Sequence, residues 1–277
     1  MDEGKFEDPN QIAFLFPSVK VVAVKRMIEA LEGHGLKVYA PRAGRFLEVE
    51  ESTAIFGIFS QIFGKPDRGD YGGSDYNEFH RWLDTARDTG AALLRQDPQL
   101  AHYVQGRKSE LATAVADYRS LVGVVQNKGW DLRAPYNIDI MKRELINAPK
   151  ISEVARKRLM SRAFENTAKK VASEGHPFPL EYVLTRATSV DWNVLDLFYR
   201  VCGFEYFKKM FDLAELDDKK VRDEGPVANL GLITQYLARF MDQYLKVITA
   251  RNLIDETFQR LFFISRTFAW IRACQKW

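Results

Sequence analysis

One segment of the chain concentrates positive charge in a way that could bind phosphate groups. Residues 142–170 contain nine basic and three acidic residues, a net charge of +6 in a chain whose total is +3. Contact with a nucleic-acid backbone requires such a segment, because each neutralised phosphate releases counterions. The candidate DNA-binding residues here are Lys142, Arg143, Arg156, Lys157, Arg158, Arg162, Lys169 and Lys170. The charges do not all lie on one side of a helix, so a solvated helix face explains them equally well.

Residues that could catalyse a reaction are not grouped in the sequence. A phosphate-loop ATPase needs Gly-x-x-x-x-Gly-Lys-Ser/Thr, whereas Gly64-Lys65 is followed by Pro66. Asp255-Glu256 resembles a magnesium-binding pair, but it lies within a helical pattern and not at the end of a strand. The four histidines are scattered, and none has metal-ligand spacing to another. We therefore expect no catalytic residue, no metal site and no cofactor in this chain.

Composition predicts a soluble globular protein of the cytoplasm. Cys202 and Cys274 are the only cysteines, which excludes a disulfide framework and a thiolate metal cluster and is typical of a reducing compartment. The longest apolar stretch, Ala54 to Gly64, is shorter than the ~20 residues that a membrane helix needs. The N-terminus is polar and acidic, unlike a signal peptide. No membrane partner is expected.

The N-terminal part predicts a strand-helix-strand unit. Ile12 to Phe16 is a short apolar run typical of a strand buried on both faces. Apolar residues recur at helical spacing from Val24 to Leu31, and Gly33-His34-Gly35 supplies the helix stop. Leu36 to Tyr39 is the second predicted strand. After Glu51 the apolar residues nearly encircle a further helix, which should therefore be buried.

Everything after the glycine-rich linker at Gly64 to Ser74 is predicted to be helical. Asp97-Pro98 combines a cap with proline at the first helical position, which starts a helix running to about Asn127. The other predicted helices run from Asp75 to Gln96, Asn137 to Asn147, Ala148 to Glu174, Leu180 to Thr188 and Asp191 to Val201.

The last segment has the strongest helical periodicity. Apolar residues step by three and four from Leu230 to Val247, and the same phase resumes at Ile254. This pattern predicts one long helix, or two joined near Thr249 to Asn252. The aromatic stretch that follows, ending at Trp277, has no polar cap, so we expect a truncated chain whose C-terminal aromatics could self-associate or bind a protein partner.

A short motif links the N-terminal unit to a known family. Tyr39 to Glu51 reads Tyr-Ala-Pro-Arg-Ala-Gly-Arg-Phe-Leu-Glu-Val-Glu-Glu and follows the strand-helix-strand pattern. A Gly-Arg-Phe turn leading into an acidic helix start resembles the Gly-Gly-x-x-Phe-Phe-x-Arg-x-Glu element of UvrD/Rep/PcrA-like superfamily 1 DNA helicases. Ala43-Gly44 replaces the glycine pair of that family. The specific similarity covers only about the first sixty residues.

The resemblance implies an organisation for the whole chain. Residues 1–64 would be a partial RecA-like (2A-type) α/β segment, and residues 65–277 a helical 2B-like inserted subdomain. The implied fold class is mainly α, a large helical subdomain with a small N-terminal strand-helix-strand piece. Arg42 and Arg45 would touch a DNA backbone in the intact motor. ATP and Mg²⁺ would be bound by motor domains outside this chain, which alone would not be an enzyme.

Three functions are compatible with these features. The first is an accessory or regulatory region of an ATP-dependent DNA helicase of repair or recombination, which contacts the missing motor domains and binds DNA weakly and in a salt-sensitive way. The second is a free-standing helical protein-interaction module derived from a helicase. The third, an unrelated helical enzyme, needs a polar pocket that the sequence does not reveal.

Overall fold

The chain is mainly helical. The computed structural model describes residues 22–36, 49–65, 74–212, 225–244 and 248–251, and also Ile12, Phe14, Phe16 and Val38. Within these ranges there are eleven helices: α1 (Val22–Gly33), α2 (Glu50–Phe63), α3 (Ser74–Gln96), α4 (Pro98–Asn127), α5 (Ile138–Ile146), α6 (Glu153–Leu159), α7 (Arg162–Ser173), α8 (Leu180–Ala187), α9 (Val194–Cys202), α10 (Glu205–Asp212) and α11 (Gly225–Tyr244). The prediction of a mainly-α fold is confirmed.

The predicted N-terminal strands are not present at the described positions. Helix α1 and the glycine stop after it are confirmed, and Gly35 has a φ of 80°. Ile12, Phe14 and Phe16, however, lie outside any strand and are exposed, with Phe14 at 56%. The prediction of a buried strand is wrong at these three positions, because a strand needs paired neighbours and no sheet forms among the described residues. The division at residue 64 stays a prediction, and the Gly64 to Ser74 linker lies largely outside the described residues.

Helix α2 lies at the centre of the first of two hydrophobic cores. Its side chains are buried on nearly every side, as its sequence predicts, and they pack against α3, α4 and α11. The ring of Phe56 contacts Trp82 of α3 and Tyr236 of α11 edge to face, at centroid distances of 5.8 and 5.9 Å. Such aromatic pairs add to the stabilisation from buried apolar area.

The closest approach in this core joins α2 and α3 through two glycines. A Cβ atom on Gly57 would overlap the carbonyl oxygen of Ala86 and lie 2.9 Å from the nitrogen of Gly90. A Cβ on Gly90 would overlap the carbonyl group of Gly57 in turn. The two backbones therefore touch at this crossing, which only the absence of both side chains allows.

Helix α4 connects the first core to the second. Its 30 residues extend about 45 Å. Leu100, Val104 and Leu111 belong to the first core, whereas Tyr118, Leu121 and Val125 belong to the second. The second core also contains side chains from α5, α6, α7 and α8. Helices α5 to α8, which carry the basic segment and the residues around it, therefore share a core with the C-terminal half of α4.

Capping residues and proline in the local sequence determine where most of the helices begin. Asp97 caps α4 by accepting hydrogen bonds from the backbone N–H groups of Gln99 and Leu100, and Pro98 is the first helical residue, as predicted. The prediction of one helix from Ala148 to Glu174 is wrong, because Ser152 and Ser161 each cap a separate helix, α6 and α7. Helix α10 is an element that the sequence interpretation did not identify.

The residues after α11 exclude one of the two predicted alternatives for this region. The described part of α11 ends at Tyr244, and Thr249 forms an isolated bridge with Ser189. The N–H of Val190 donates to the carbonyl of Ile248 at 3.1 Å. Ile248 and Thr249 lie outside any helix, so the alternative of one continuous helix is wrong. The second helix of the other alternative stays a prediction, because residues 252–277, including the C-terminal aromatics, lie outside the described residues.

Candidate nucleic-acid interface

The basic segment is carried by three short helices that contact one another. Helices α5, α6 and α7 pack pairwise, and their buried side chains, including Leu145, Leu159 and Ala168, enter the second core. Each helix begins at a polar cap: the Asn137 side chain accepts from Asp139 N and Ile140 N, and Ser152 and Ser161 cap α6 and α7. These caps satisfy backbone N–H groups that a helix start leaves open. The basic side chains therefore project from capped helices that are packed into the second core.

A buried carboxylate fixes the start of α6. Asp117 of α4 is 4% exposed and accepts hydrogen bonds from the Ser152 backbone N–H at 2.7 Å and from the Ser152 hydroxyl at 2.6 Å. The same hydroxyl oxygen accepts from the Ala155 N–H at 3.2 Å. One turn further along α4, the Ser120 hydroxyl donates to the carbonyl of Pro149 at 2.5 Å. Helix α4 thus holds the whole segment that leads into α6.

Glu165 lies between two of the candidate lysines. One carboxylate oxygen accepts from Lys142 Nζ at 2.5 Å, and the other lies 2.7 Å from Lys169 Nζ. These two hydrogen bonds, the one from Lys142 first, lower the pKa of Glu165 from 4.5 to about 2. Burial, and then the negative charge of Glu165, raise the pKa of Tyr136 to about 12.

Lys142 and Glu165 also line a shallow groove between α5 and α7. The groove has a volume of about 350 Å³, and Lys142, Arg143, Asp139 and Glu165 contribute its charged lining. Ile138, Ile146 and Asn147 complete the lining. The groove lining therefore combines two cations and two carboxylates with two isoleucines and one asparagine.

Two arginines among the candidates are paired with acidic or carbonyl groups. Arg156 forms an ion pair with Glu153, and its Nε donates to the Ile146 carbonyl at 3.3 Å. Arg158 pairs with Asp191 at 2.9 Å and also donates to the carbonyls of Ala187 and Ser189 at the end of α8. This use of the Arg158 guanidinium ties α6 to α8, so its first role is structural.

Lys170 is the most weakly held of the paired cations. Its Nζ lies 3.9 Å from Glu174, and its side chain is 76% exposed. An exposed pair at that distance contributes little to stability and leaves the ammonium group open to other anions.

The remaining three candidates in this segment are exposed cations on three neighbouring helices. Arg143 of α5, Lys157 of α6 and Arg162 of α7 are all exposed. Among the residues that the structure describes, none of the three has a carboxylate within ion-pair distance, although Glu144 is adjacent to Arg143 in sequence. Arg42 and Arg45, the two candidates from the helicase-like motif, lie outside the described residues.

The acidic residues around the segment reduce its charge without cancelling it. Residues 128–191, which span this part of the structure, contain twelve basic and eight acidic residues, a net charge of +4. Helix α3, by comparison, has three basic and four acidic residues, a net charge of −1. In the sequence, Glu165 is only one of the three negative charges of residues 142–170. Its i,i+4 spacing to Lys169 was the available signal for one pair, but the contact with Lys142 depends on the fold.

Two other kinds of functional element are absent from the described ranges. No group of three or more His, Cys, Asp or Glu side chains there is placed to hold a metal ion. Of the helices in those ranges, none is both long and apolar enough to cross a membrane.

No protein-family model matches the chain, and neither a curated protein nor a solved structure matches it.

Proposed function

We propose that this chain is a helical module that contacts the phosphate backbone of DNA, as an accessory or regulatory region beside a UvrD-like helicase motor. The observation that carries the DNA-binding part is the trio Arg143, Lys157 and Arg162, three exposed cations on the contacting helices α5, α6 and α7. The helicase part rests on the resemblance of Tyr39 to Glu51 to the motor element.

The chemistry of the trio favours backbone contact over reading of base sequence. Arginine presents a planar fork of donors that matches phosphate oxygens, and lysine adds a mobile point charge. Such contacts position a protein on nucleic acid but carry no sequence information. The proposed interaction is therefore weak, independent of sequence and sensitive to salt. Its role would be to hold or orient DNA while the separate motor domains bind ATP and Mg²⁺.

A titration of a fluorescently labelled forked duplex, followed by anisotropy, tests the DNA-binding proposal. We expect saturable binding at low salt that weakens as salt is added. The variant R143Q/K157Q/R162Q should lose most of that binding, because it removes the three exposed cations. The control R81Q/R87Q/K108Q removes the same charge from exposed positions on α3 and α4 and should retain it. Equal losses in both variants would contradict the assignment to α5–α7.

The proposal also predicts that the purified chain does not hydrolyse ATP, because its sequence contains no phosphate loop. Release of inorganic phosphate from ATP, measured with and without DNA, tests this part separately. DNA-stimulated release by the pure chain would refute it.

A second function, a protein-interaction module, is favoured by a different observation. Ile140 of α5, and Val154 and Met160 at the two ends of α6, are 60%, 57% and 54% exposed. Apolar side chains that form one contiguous exposed patch are typical of surfaces that meet other proteins. Light scattering at several concentrations tests for self-association. A concentration-dependent mass that reverts to monomer in I140S/V154S/M160S would favour this function over DNA contact.

A further inference from the structure

The groove between α5 and α7 contains a carboxylate held as a phosphate would be held. Glu165 binds Lys142 through one oxygen and Lys169 through the other, at 2.5 and 2.7 Å. Carboxylate and phosphate are both anions with several acceptor oxygens, and both are bound by the same ammonium donors. Arg143, which lines the same groove, has no carboxylate within ion-pair distance among the described residues.

We propose that this groove is a phosphodiester-binding subsite, and that Glu165 occupies it in the free protein as an intramolecular competitor. This subsite rests on the proposed function. It adds the position of one bound phosphate and a carboxylate that limits DNA binding. A phosphate of the DNA backbone would replace the Glu165 carboxylate between Lys142 and Lys169, while Arg143 supplies a third donor from α5. No covalent step is involved.

The exposure of the three partners makes the exchange feasible. The side chains of Lys142 and Glu165 are 25% and 24% exposed, and Lys169 is 58% exposed. Water and a diffusing phosphate can therefore reach the pairs, and the displaced carboxylate can be solvated. Asp139, the second carboxylate of the groove, remains in place and repels anions, which further limits the affinity in the unmodified protein.

Two charge-matched substitutions on and beside α7 test the competition. E165Q removes the competitor and frees both lysines, whereas E174Q removes an exposed carboxylate whose lysine lies 3.9 Å away. The measured quantity is the DNA affinity at 50 mM salt divided by the affinity at 200 mM salt. This ratio should rise about 3.5-fold for each additional phosphate that the protein neutralises, because the slope of log affinity against log salt concentration changes by ~0.9 per phosphate. We expect E165Q to neutralise one or two more phosphates than wild type, and E174Q to neutralise fewer than one more. Equal behaviour of the two variants would overturn the inference.

A double-mutant cycle provides a second readout that a purely structural role would not change. K142M should alter DNA affinity little in the wild-type background, because there Glu165 competes successfully with the DNA phosphate for Lys142 and the exchange is rare. In the E165Q background the same substitution should lower the salt-dependent ratio by about 3.5-fold. If E165Q lacks the helical circular-dichroism signal, E165A replaces it, because alanine is the best helix former. Equal effects of K142M in both backgrounds would refute the competition.

The same titrations separate this inference from the proposed function. If the wild-type chain does not bind the duplex at low salt, the proposed function fails and the subsite fails with it. If the wild-type chain binds, R143Q/K157Q/R162Q does not, and E165Q matches E174Q, the proposed function stands and only the subsite is refuted.

Discussion

The carboxylate of Asp117 in α4 accepts both the backbone N–H and the hydroxyl of Ser152, the residue that caps α6. A single buried side chain therefore connects the long central helix to the support of the basic surface. The two hydrogen bonds leave neither the carboxylate nor the Ser152 N–H without a partner. Because α6 also packs against α5, α7 and α8, the position of the candidate DNA-binding residues depends on this contact.

Replacement of Asp117 should destabilise the chain and weaken DNA binding together. D117A removes two charge-assisted hydrogen bonds and leaves the half-buried Ser152 donors without this partner, so we expect a loss of about 2–4 kcal/mol in the free energy of unfolding. Chemical denaturation measures it. The control D88A, at an exposed position of α3, should change the free energy by less than about 0.5 kcal/mol. A similar small change in D117A would contradict the anchoring role.

The contact between Gly57 and Gly90 should not tolerate a methyl group. In G57A the new Cβ overlaps the backbone of α3, so the two helices must separate, and we expect a loss of about 2–3 kcal/mol or more. G106A is the matched control, because Gly106 lies within α4 and nothing is within 4 Å of its would-be Cβ. There alanine should stabilise the helix by about 0.5–1 kcal/mol. Opposite signs in thermal denaturation are the expected result.

Acid should remove the stabilisation that comes from Glu165. The pKa of this carboxyl is lowered from 4.5 to about 2, mainly by the hydrogen bonds from Lys142 and Lys169. A lowered pKa in the folded state means that the contribution is complete above pH 4.5 and disappears as the pH falls towards 2. The melting temperature of wild type should therefore fall more steeply across this window than that of E165Q. Parallel pH profiles would show that the ion pairs add no stability.

Cys202 should be unreactive in the folded chain. Its side chain is buried in the first core, and this burial raises the pKa of the thiol to about 12. The reactive thiolate is therefore scarce at about pH 8. In a C274S variant, which leaves Cys202 as the only cysteine, a thiol reagent should label the protein slowly in buffer and fully in denaturant. Rapid labelling in buffer would mean that this core opens readily.

Much of the helical fold could be predicted because its signals are local. Asp97-Pro98 specifies the start of α4 through a side-chain cap and a fixed φ, and the apolar residues around α2 predict its burial. The split between α6 and α7 was missed because Ser161 is a weak signal within a strongly helical composition. The contact between Gly57 and Gly90 depends on two helices meeting, and no local pattern specifies that.

From the sequence, the candidate site could be predicted only as a segment with a net positive charge. The sequence alone identified all five of these cations as candidates. It could not distinguish the exposed Arg143, Lys157 and Arg162 from the ion-paired Arg156 and Arg158. Their difference arises from the fold, which brings Asp191 and the end of α8 to Arg158 and leaves Arg162 exposed at the start of α7. Ion pairing between distant segments therefore decides which cations can bind a ligand.

The salt dependence of DNA binding tests the central claim most directly. If Arg143, Lys157 and Arg162 each neutralise one phosphate of a duplex, the logarithm of the association constant should fall with the logarithm of salt concentration with a slope of about −2.7 or steeper. In R143Q/K157Q/R162Q the slope should be shallower by about 2.7, and in R81Q/R87Q/K108Q it should equal that of wild type. Binding that is absent, independent of salt, or equally reduced in both variants would contradict the account.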